Sequence, residues 1–371
     1  MKKIYCFGLI LFTVALSSQK LFITKSVNDN SNLSSYFSKI NTTDGSIMAD
    51  FPITADGSSS VLPRGPVYGS QTNSIYSFKG TRIFSYNADN FLEYASIGGS
   101  VDFLYPYDQI IFVKNRLFAM RSYNTNGFNY ELTLFELNKD DGSVIYTHTW
   151  TVVVGTNGWG SSFSPITNEI FIVFGNNLSK YNIITQELNV FTLPGANFST
   201  SYPGVIAAQG RLFARKKDFA NGQSNNYLVE IDRQTGAVME TNTLNPAIGN
   251  LYYPGSQLVF LKETKEIACL YYGSPSFPNE NIIVKYNIDT SVETLLHLPT
   301  EIATSTLTEN YASLVSVDSE ELALDEFVQN SNSKISAVYN LLGQSVPIDT
   351  YNQILIVEYE NGAREKIFNS K

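Results

Sequence analysis

The chain of 371 residues holds only two histidines, His148 in Tyr146-Thr147-His148-Thr149-Trp150 and His297 in Leu295-Leu296-His297-Leu298. Each stands in an alternating, strand-like run, and neither has a second His or Cys at the spacing of a zinc site. No metal ligand is assigned. A serine or cysteine nucleophile requires a base within hydrogen-bond reach, and no such pairing is recognisable, so no catalytic residue is assigned either. Asp140-Asp141-Gly142 places two carboxylates side by side, but the spaced ligands of a calcium loop do not follow, and the segment reads as a turn. No glycine-rich phosphate loop follows a strand and opens a helix. No cofactor is expected.

The side chains better suited to chemistry are aromatic. The sequence carries 23 Tyr and 24 Phe against 16% charged residues, with a formal net charge of −9 and no basic cluster to track a phosphate backbone. Nucleic acid is thereby excluded as a partner. Tyr105-Pro106, Tyr202-Pro203-Gly204 and Tyr253-Pro254-Gly255 repeat one signature, and Trp159 stands in Asn157-Gly158-Trp159-Gly160. Tyr105, Trp159, Tyr202 and Tyr253 are the candidate ligand-binding residues, because such rings recognise sugars or peptides by stacking and adaptable hydrogen bonding. The competing reading is that Tyr-Pro-Gly only shapes a tight approach to the following strand.

What must position these residues is a repeat. Six segments share an alternating strand that ends in Asn or Asp, followed by a turn and another strand. The markers are Asn41, Asn87, Asn138, Asn182, Asp232 and Asn287, at intervals of 46, 51, 44, 50 and 55 residues. An Asn or Asp side chain accepts hydrogen bonds from backbone N–H groups about two residues on and so nucleates a tight turn. In three copies a glycine follows four positions later (Gly45, Gly142, Gly236), where positive φ is needed. Five copies carry an earlier strand led by a polar residue or glycine, beginning at Asn73, Asn115, Asn168, Gly210 and Lys265, and a further apolar stretch precedes it, as at Gln109–Val113. Four short strands in about 45–50 residues is the period of a propeller blade.

On these residues the chain resembles the β-propeller superfamily over roughly 36–326. The resemblance implies an all-β ring of four-stranded blades, with six favoured and seven possible. Asp232-Arg233-Gln234-Thr235-Gly236 is similar to quinoprotein-type blades, but Ala237-Val238-Met239 stands where those blades carry a Trp, so no quinone is carried over. The first marker, Asn41, has no inner strands legible before it. Ser313–Val317 and Glu320–Ala323 read as inner strands without an outer pair, so joining the two ends completes a composite blade and hides the sheet edges. Segments Ser122–Tyr130, Lys217–Asn226 and Gly273–Asn281 read as insertions between second and third strands, on the same face as the connections between blades. Loops on a rigid scaffold are where function is expected.

Both ends of the chain carry addresses. Lys2 and Lys3, the apolar run Phe7–Leu16 and Ala15-Leu16-Ser17 form a signal peptide over 1–17, too short to span roughly 30 Å of hydrocarbon. With it removed, Cys269 is the sole cysteine and no intrachain disulfide is possible. Its apolar setting reads as a buried, inert thiol. No second span of membrane length follows. Near the C-terminus, Ala337-Val338-Tyr339-Asn340-Leu341-Leu342-Gly343-Gln344 precedes a late apolar strand, Gln353–Tyr359. Residues 330–371 thus resemble the small β-rich sorting domain of the type IX secretion system of Bacteroidota, without the Pro-Asn-Pro opening that often begins it. The resemblance implies passage through that machinery to the cell surface or the medium. The alternative is a seventh blade, since Asn340 lies 53 residues after Asn287.

The propeller is read as residues 18–326. The expected function is a secreted or surface-held binding protein for a glycan or protein, the alternative an extracellular propeller enzyme acting on polysaccharide. Fold alone does not separate them.

Overall fold

A computed structural model of the chain describes residues 20–29, 32–53, 64–79, 82–91, 93–97, 108–153, 159–194, 200–220, 223–244, 258–272, 281–299, 309–317, 335–340, 344–347, 353–359 and 364–369. Strands β1 (Lys20–Asp29), β2 (Asn32–Ile40) and β3 (Ile47–Ile53) belong to blade 1. Blade 2 is β4 (Arg64–Gly69), β5 (Ser74–Lys79), β6 (Arg82–Asn87) and β7 (Glu93–Ile97). Blade 3 is β8 (Gln109–Val113), β9 (Arg116–Asn126), β10 (Asn129–Leu137) and β11 (Val144–Val153). Blade 4 is β12 (Trp159–Ser164), β13 (Glu169–Phe174), β14 (Asn177–Asn182) and β15 (Leu188–Thr192). Blade 5 is β16 (Thr200–Ala208), β17 (Arg211–Ala220), β18 (Gln223–Ile231) and β19 (Val238–Thr243). Blade 6 is β20 (Val259–Leu261), β21 (Glu266–Tyr272), β22 (Asn281–Asn287) and β23 (Glu293–His297). Finally, β24 (Glu309–Val317) pairs antiparallel with β1 and gives blade 1 its fourth strand.

The result is a six-bladed propeller. The innermost strands β24, β4, β8, β12, β16 and β20 contact one another in an unbroken cycle. Closure differs from the expected two-plus-two composite: the late segment supplies one strand and the N-terminal segment three. Lys20–Asp29 is the missing inner strand. It was obscured because it follows closely on the apolar run Phe7–Leu16. Glu320–Ala323 lies outside the described residues.

Each blade presents an apolar face to both neighbours, and one buried cluster fills each of the six junctions. Phe22, Phe37, Phe84 and Phe91 lie between blades 1 and 2, and Phe78, Leu117 and Phe135 between blades 2 and 3. Met120, Leu134, Ile172 and Tyr181 join blades 3 and 4, and Phe171, Leu178, Leu212 and Val229 join blades 4 and 5. Phe213, Leu228, Tyr271 and Val284 join blades 5 and 6, and Leu21, Ile23, Leu270 and Ile283 return to blade 1. The double coverage explains the strand patterns. Ile170–Phe174 in β13 is buried on both faces, whereas the outermost strand β11 alternates between exposed and covered positions. Burying one such side chain stabilises by about 1.5–3 kcal/mol, so these junctions outweigh exposed ion pairs at about 0–1 kcal/mol each.

All six markers form the expected turns. Asn41, Asn87, Asn138, Asn182, Asp232 and Asn287 each accept a backbone N–H from the residue two positions on, at 2.7–3.0 Å. The residue four positions on donates its N–H back to the marker carbonyl in every copy. That residue has positive φ throughout: Gly45, Gly142 and Gly236, but also Phe91, Gln186 and Ser291. Phe91 accepts the left-handed backbone because its ring is held by packing, stacked on Phe51 at 4.5 Å and close to Phe22 at 4.7 Å. The strand-leading residues Asn73, Asn115, Asn168, Gly210 and Lys265 also have positive φ and close the first hairpin of their blades.

Residues 321–371 form a second unit. Its described strands, β25 (Ile335–Asn340), β26 (Gln353–Tyr359) and β27 (Arg364–Asn369), make a three-stranded antiparallel sheet around Val338, Leu355 and Val357. This sheet is separate from the six four-stranded ones, so Asn340 does not mark a seventh blade. Asn340 instead ties down its own turn: its Oδ1 accepts the Gln344 N–H at 3.0 Å, and its Nδ2 donates to Gln344 Oε1 at 2.9 Å.

The innermost strands approach most closely where glycines meet. A Cβ added at Gly160 would lie 2.4 Å from Gly204 Cα and 2.7 Å from Val205 N, both backbone atoms of the next blade. Gly160→Ala is therefore expected to destabilise by about 1–3 kcal/mol or more. Gly127→Ala, with nothing within 4 Å and only its φ of +61° to accommodate, should cost about 1 kcal/mol. Thermal or urea unfolding of the two variants checks the order; equal midpoints would contradict the close inner packing.

Candidate functional site

The antiparallel order of each blade sends the first-to-second and third-to-fourth connections to one face of the ring. The second-to-third and inter-blade connections go to the other. On the first face the side chains are occupied with holding blades together. In blade 3, Arg116 forms a fork on Glu136, with Nε to Oε1 at 2.7 Å and Nη2 to Oε2 at 2.6 Å, while Nη1 donates to the Ile183 carbonyl of blade 4 at 2.9 Å. Blade 5 repeats the device: Arg211 pairs with Glu230 and donates to the Ile288 carbonyl of blade 6 at 3.1 Å. In blade 6, Lys285 bridges Glu266 and the Thr42 carbonyl of blade 1, both at 3.0 Å. These ion pairs were missed as a set. Their signal was the polar residue leading Arg116-Leu117-Phe118 and Arg211-Leu212-Phe213.

The sequence-predicted candidates are not brought together as a cluster. Tyr105 and Tyr253 lie outside the described residues, as does segment 273–280. Trp159 opens β12, its backbone opposite Phe174. Tyr202 requires a correction. Its side chain is 0% exposed and its hydroxyl donates to the Pro194 carbonyl at 2.7 Å, so it braces the chain approaching β16 rather than facing a ligand. Burial, with the charge of Asp218 nearby, pushes its phenol up to about 12. Gly204 of the same signature makes the contact with Gly160, so in blade 5 the Tyr-Pro-Gly segment shapes the strand.

The remaining chemical candidates are spread over blades 3 and 6. His148 lies between Trp150 and Tyr181, at ring separations of 6.0 and 5.4 Å, in the junction of blades 3 and 4. His297 belongs to blade 6, so the two imidazoles sit on different blades. Cys269 is buried, and desolvation raises its thiol to about 11. Asp141 accepts the Ser143 N–H at 2.8 Å and its hydroxyl at 2.7 Å, which uses the carboxylate within the turn and lowers its pKa.

The second face is described chiefly at blades 3 and 5. Two of the expected loop insertions are not loops: Ser122–Tyr130 continues the β9–β10 ladder to Asn126 opposite Asn129, and Lys217–Asn226 continues β17–β18 to Ala220 opposite Gln223. In the sequence both segments read as insertions, because the register that pairs their two halves is not legible there. The blade 3 hairpin exposes Tyr123 and Phe128, at 46% and 56%. Tyr123 stands opposite Glu131, and Arg121, one step inward on the same face, stacks its guanidinium over Phe135 at 5.2 Å. On blade 5, Lys216 pairs with Asp218 at 2.8 Å and lies 5.4 Å over the Tyr227 ring, while Thr200 donates its hydroxyl to Asp218 at 2.7 Å. At the base of the blade 3 hairpin, Asp108 accepts the Ser122 N–H at 2.6 Å. Burial raises its carboxyl to about 6, against the Ser122 hydrogen bonds and the nearby Arg121 charge, which pull it down.

No family model matches the chain, and no curated protein matches it. Among solved structures, a chain from a crystal structure of a nidogen/laminin complex aligns with a TM-score of 0.52 at 9% identity, over 81% of this chain and 99% of that one. A TolB-like protein of Agrobacterium tumefaciens aligns with a TM-score of 0.42 at 11% identity, over 79% and 99%. The first of these likenesses supports the propeller fold and nothing about its ligand.

Asp108 yields a pH dependence. Its carboxyl titrates higher in the folded chain than in the unfolded one, so the folded state holds the proton more tightly. Stability contributed at low pH is lost as pH rises from about 4 through about 6. Asp108→Asn keeps an acceptor for Ser122 and abolishes the titration. The variant should match wild type near pH 4 and exceed it by up to about 2 kcal/mol at pH 7.5. Urea unfolding at both pH values checks this, and a difference independent of pH would contradict it.

Proposed function

We propose that this chain is an exported propeller that binds a glycan or protein ligand on the face where the blade 3 and blade 5 hairpins rise. The observation that carries the reading is the pair of long hairpins, which hold Tyr123, Phe128, Arg121 and Glu131 on one blade and Lys216, Asp218 and Tyr227 on another. Side chains set on paired strands keep their geometry, which lowers the ordering cost of binding. The opposite face carries the marker turns and the ion pairs within blades 3, 5 and 6 whose cations donate to a carbonyl of the next blade.

Export is read from the ends of the sequence. Signal peptide 1–17 precedes the first strand, which begins at Lys20, so its removal leaves the closing pair β1–β24 intact. The C-terminal segment 330–371 is read as a type IX sorting domain, with that secretion machinery as its partner. Support comes from the Val338-Tyr339-Asn340 motif and from a small sheet with its own apolar cluster. The destination is the outer cell surface or the medium.

Two experiments test these readings. The purified mature protein, applied to glycan and peptide arrays, should bind a defined subset of one of them; silence on both arrays would remove the binding function. In the native host, deletion of residues 330–371 should leave the propeller in the periplasm. Normal release of the truncated protein would overturn the proposed route.

A further inference from the structure

Blades 2 to 5 alternate in height. Second and third strands are six residues each in blades 2 and 4, but eleven and nine in blade 3 and ten and nine in blade 5. At about 3.3 Å per residue, four extra residues carry a strand roughly 13 Å further. The second strand repeats one sequence at this two-blade period: Leu21-Phe22-Ile23-Thr24-Lys25, Leu117-Phe118-Ala119-Met120-Arg121 and Leu212-Phe213-Ala214-Arg215-Lys216.

Strand alternation gives that repeat a physical meaning. Leu117 and Ala119 pack on Tyr76 and Phe78 of blade 2, and Leu212 and Ala214 pack on Phe171 and Val173 of blade 4. The same row of side chains continues outward past this apolar contact as Arg121 and Tyr123 on blade 3, and as Lys216 and Asp218 on blade 5. Across the sheet the row reads Tyr123–Glu131–Thr151 in blade 3 and Lys216–Tyr227–Thr243 in blade 5. On these rows blades 3 and 5 therefore each carry one cation, one carboxylate, one tyrosine ring and a threonine hydroxyl beside a shorter neighbour.

The charges on each surface balance, most directly in the Lys216–Asp218 pair at 2.8 Å. A balanced pair offers donors and acceptors without favouring either sign of ligand charge, and a tyrosine ring offers an apolar face with a polar tip. That combination suits a ring that is apolar on its faces and hydroxylated at its edge. Resting on the binding reading above, we propose that these two surfaces are twin sites for a neutral, hydroxyl-rich saccharide, so that one chain grips a glycan at two points. Blade 1 holds the same residue types in closed form: Lys25 is 6% exposed, paired with Asp50 at 2.9 Å, and Ser38 donates to the other Asp50 oxygen. It is not a third site.

Isothermal titration of the full mature chain with neutral hexaoses (cellohexaose, maltohexaose, xylohexaose and mannohexaose) tests the proposal, with a galacturonate hexaose as the charged comparison. At least one neutral hexaose is expected to bind at two equivalents per chain, at least tenfold more tightly than the charged one. Tyr123→Ala, at an exposed position, should leave one equivalent, and Tyr123→Ala with Tyr227→Ala should weaken binding more than tenfold. Tyr123→Phe and Tyr227→Phe should retain it, and thermal melts confirm that each variant is folded. If Tyr227→Ala does not fold, the loss of one equivalent in Tyr123→Ala decides the question. No neutral hexaose bound, preference for the charged hexaose, or unchanged stoichiometry in folded Tyr123→Ala would overturn the twin sites. Array binding to other glycans or to peptides would leave the broader binding function standing in that case, whereas silence on both arrays removes both.

Discussion

A four-stranded sheet that is apolar on both faces has no stable place in water unless both faces are covered. Each blade here meets that requirement only through its two neighbours, so the arrangement has to return on itself. The return is made by β24, whose pairing with β1 supplies the innermost strand of blade 1 and brings Val315 and Val317 into the first junction. Without that pairing, blade 1 would present an open edge along β1, the kind of edge that recruits other strands. Among the described residues the one cysteine, Cys269, is a buried free thiol, and the six apolar junctions and this one strand pairing hold the ring together.

That constraint divides the two faces of the ring. Near the marker turns, Arg116, Arg211 and Lys285 each use a carboxylate in their own blade to aim a cation at a carbonyl of the next blade. Such partly exposed pairs add little net stability, yet they fix the angle at which neighbouring turns meet. The opposite face is under no such demand, because a hairpin lengthened there leaves the packed lower halves of the strands undisturbed. Blades 3 and 5 use this freedom, and the polar rows on their upper halves follow from continuing a ladder beyond the reach of the shorter neighbour.

Several features were legible because their physics is local. The Asn and Asp markers needed only the reach of a side chain to a backbone N–H, and all six formed as read. The requirement for positive φ was visible only where glycine satisfied it. At Phe91 the same conformation is held by Phe22, Phe37 and Phe51, which no local rule reports. The candidate residues fared less evenly. Tyr202 belongs to a signature that looks exposed in the sequence, but its hydroxyl is satisfied by Pro194 and its ring is enclosed. Arg121 and Lys216 end the Leu-Phe repeat of their strands, but Glu131, Asp218 and Tyr227 carry no local motif, and the proximity of all five depends on cross-strand register.

By itself the sequence determined an all-β chain of about fifty-residue units, the turn at the end of each third strand, and the likeness of its two termini to export signals. Those rest on side-chain period, turn chemistry and composition, all of which act over a few residues. Only the tertiary structure decided that the ring closes through one late strand rather than two and that two of the three supposed insertions, Ser122–Tyr130 and Lys217–Asn226, continue strands. It also decided which tyrosines lie inside and which rise beside a shorter blade. Those outcomes are set by register and by the need to cover both faces of every sheet, which couple residues hundreds of positions apart.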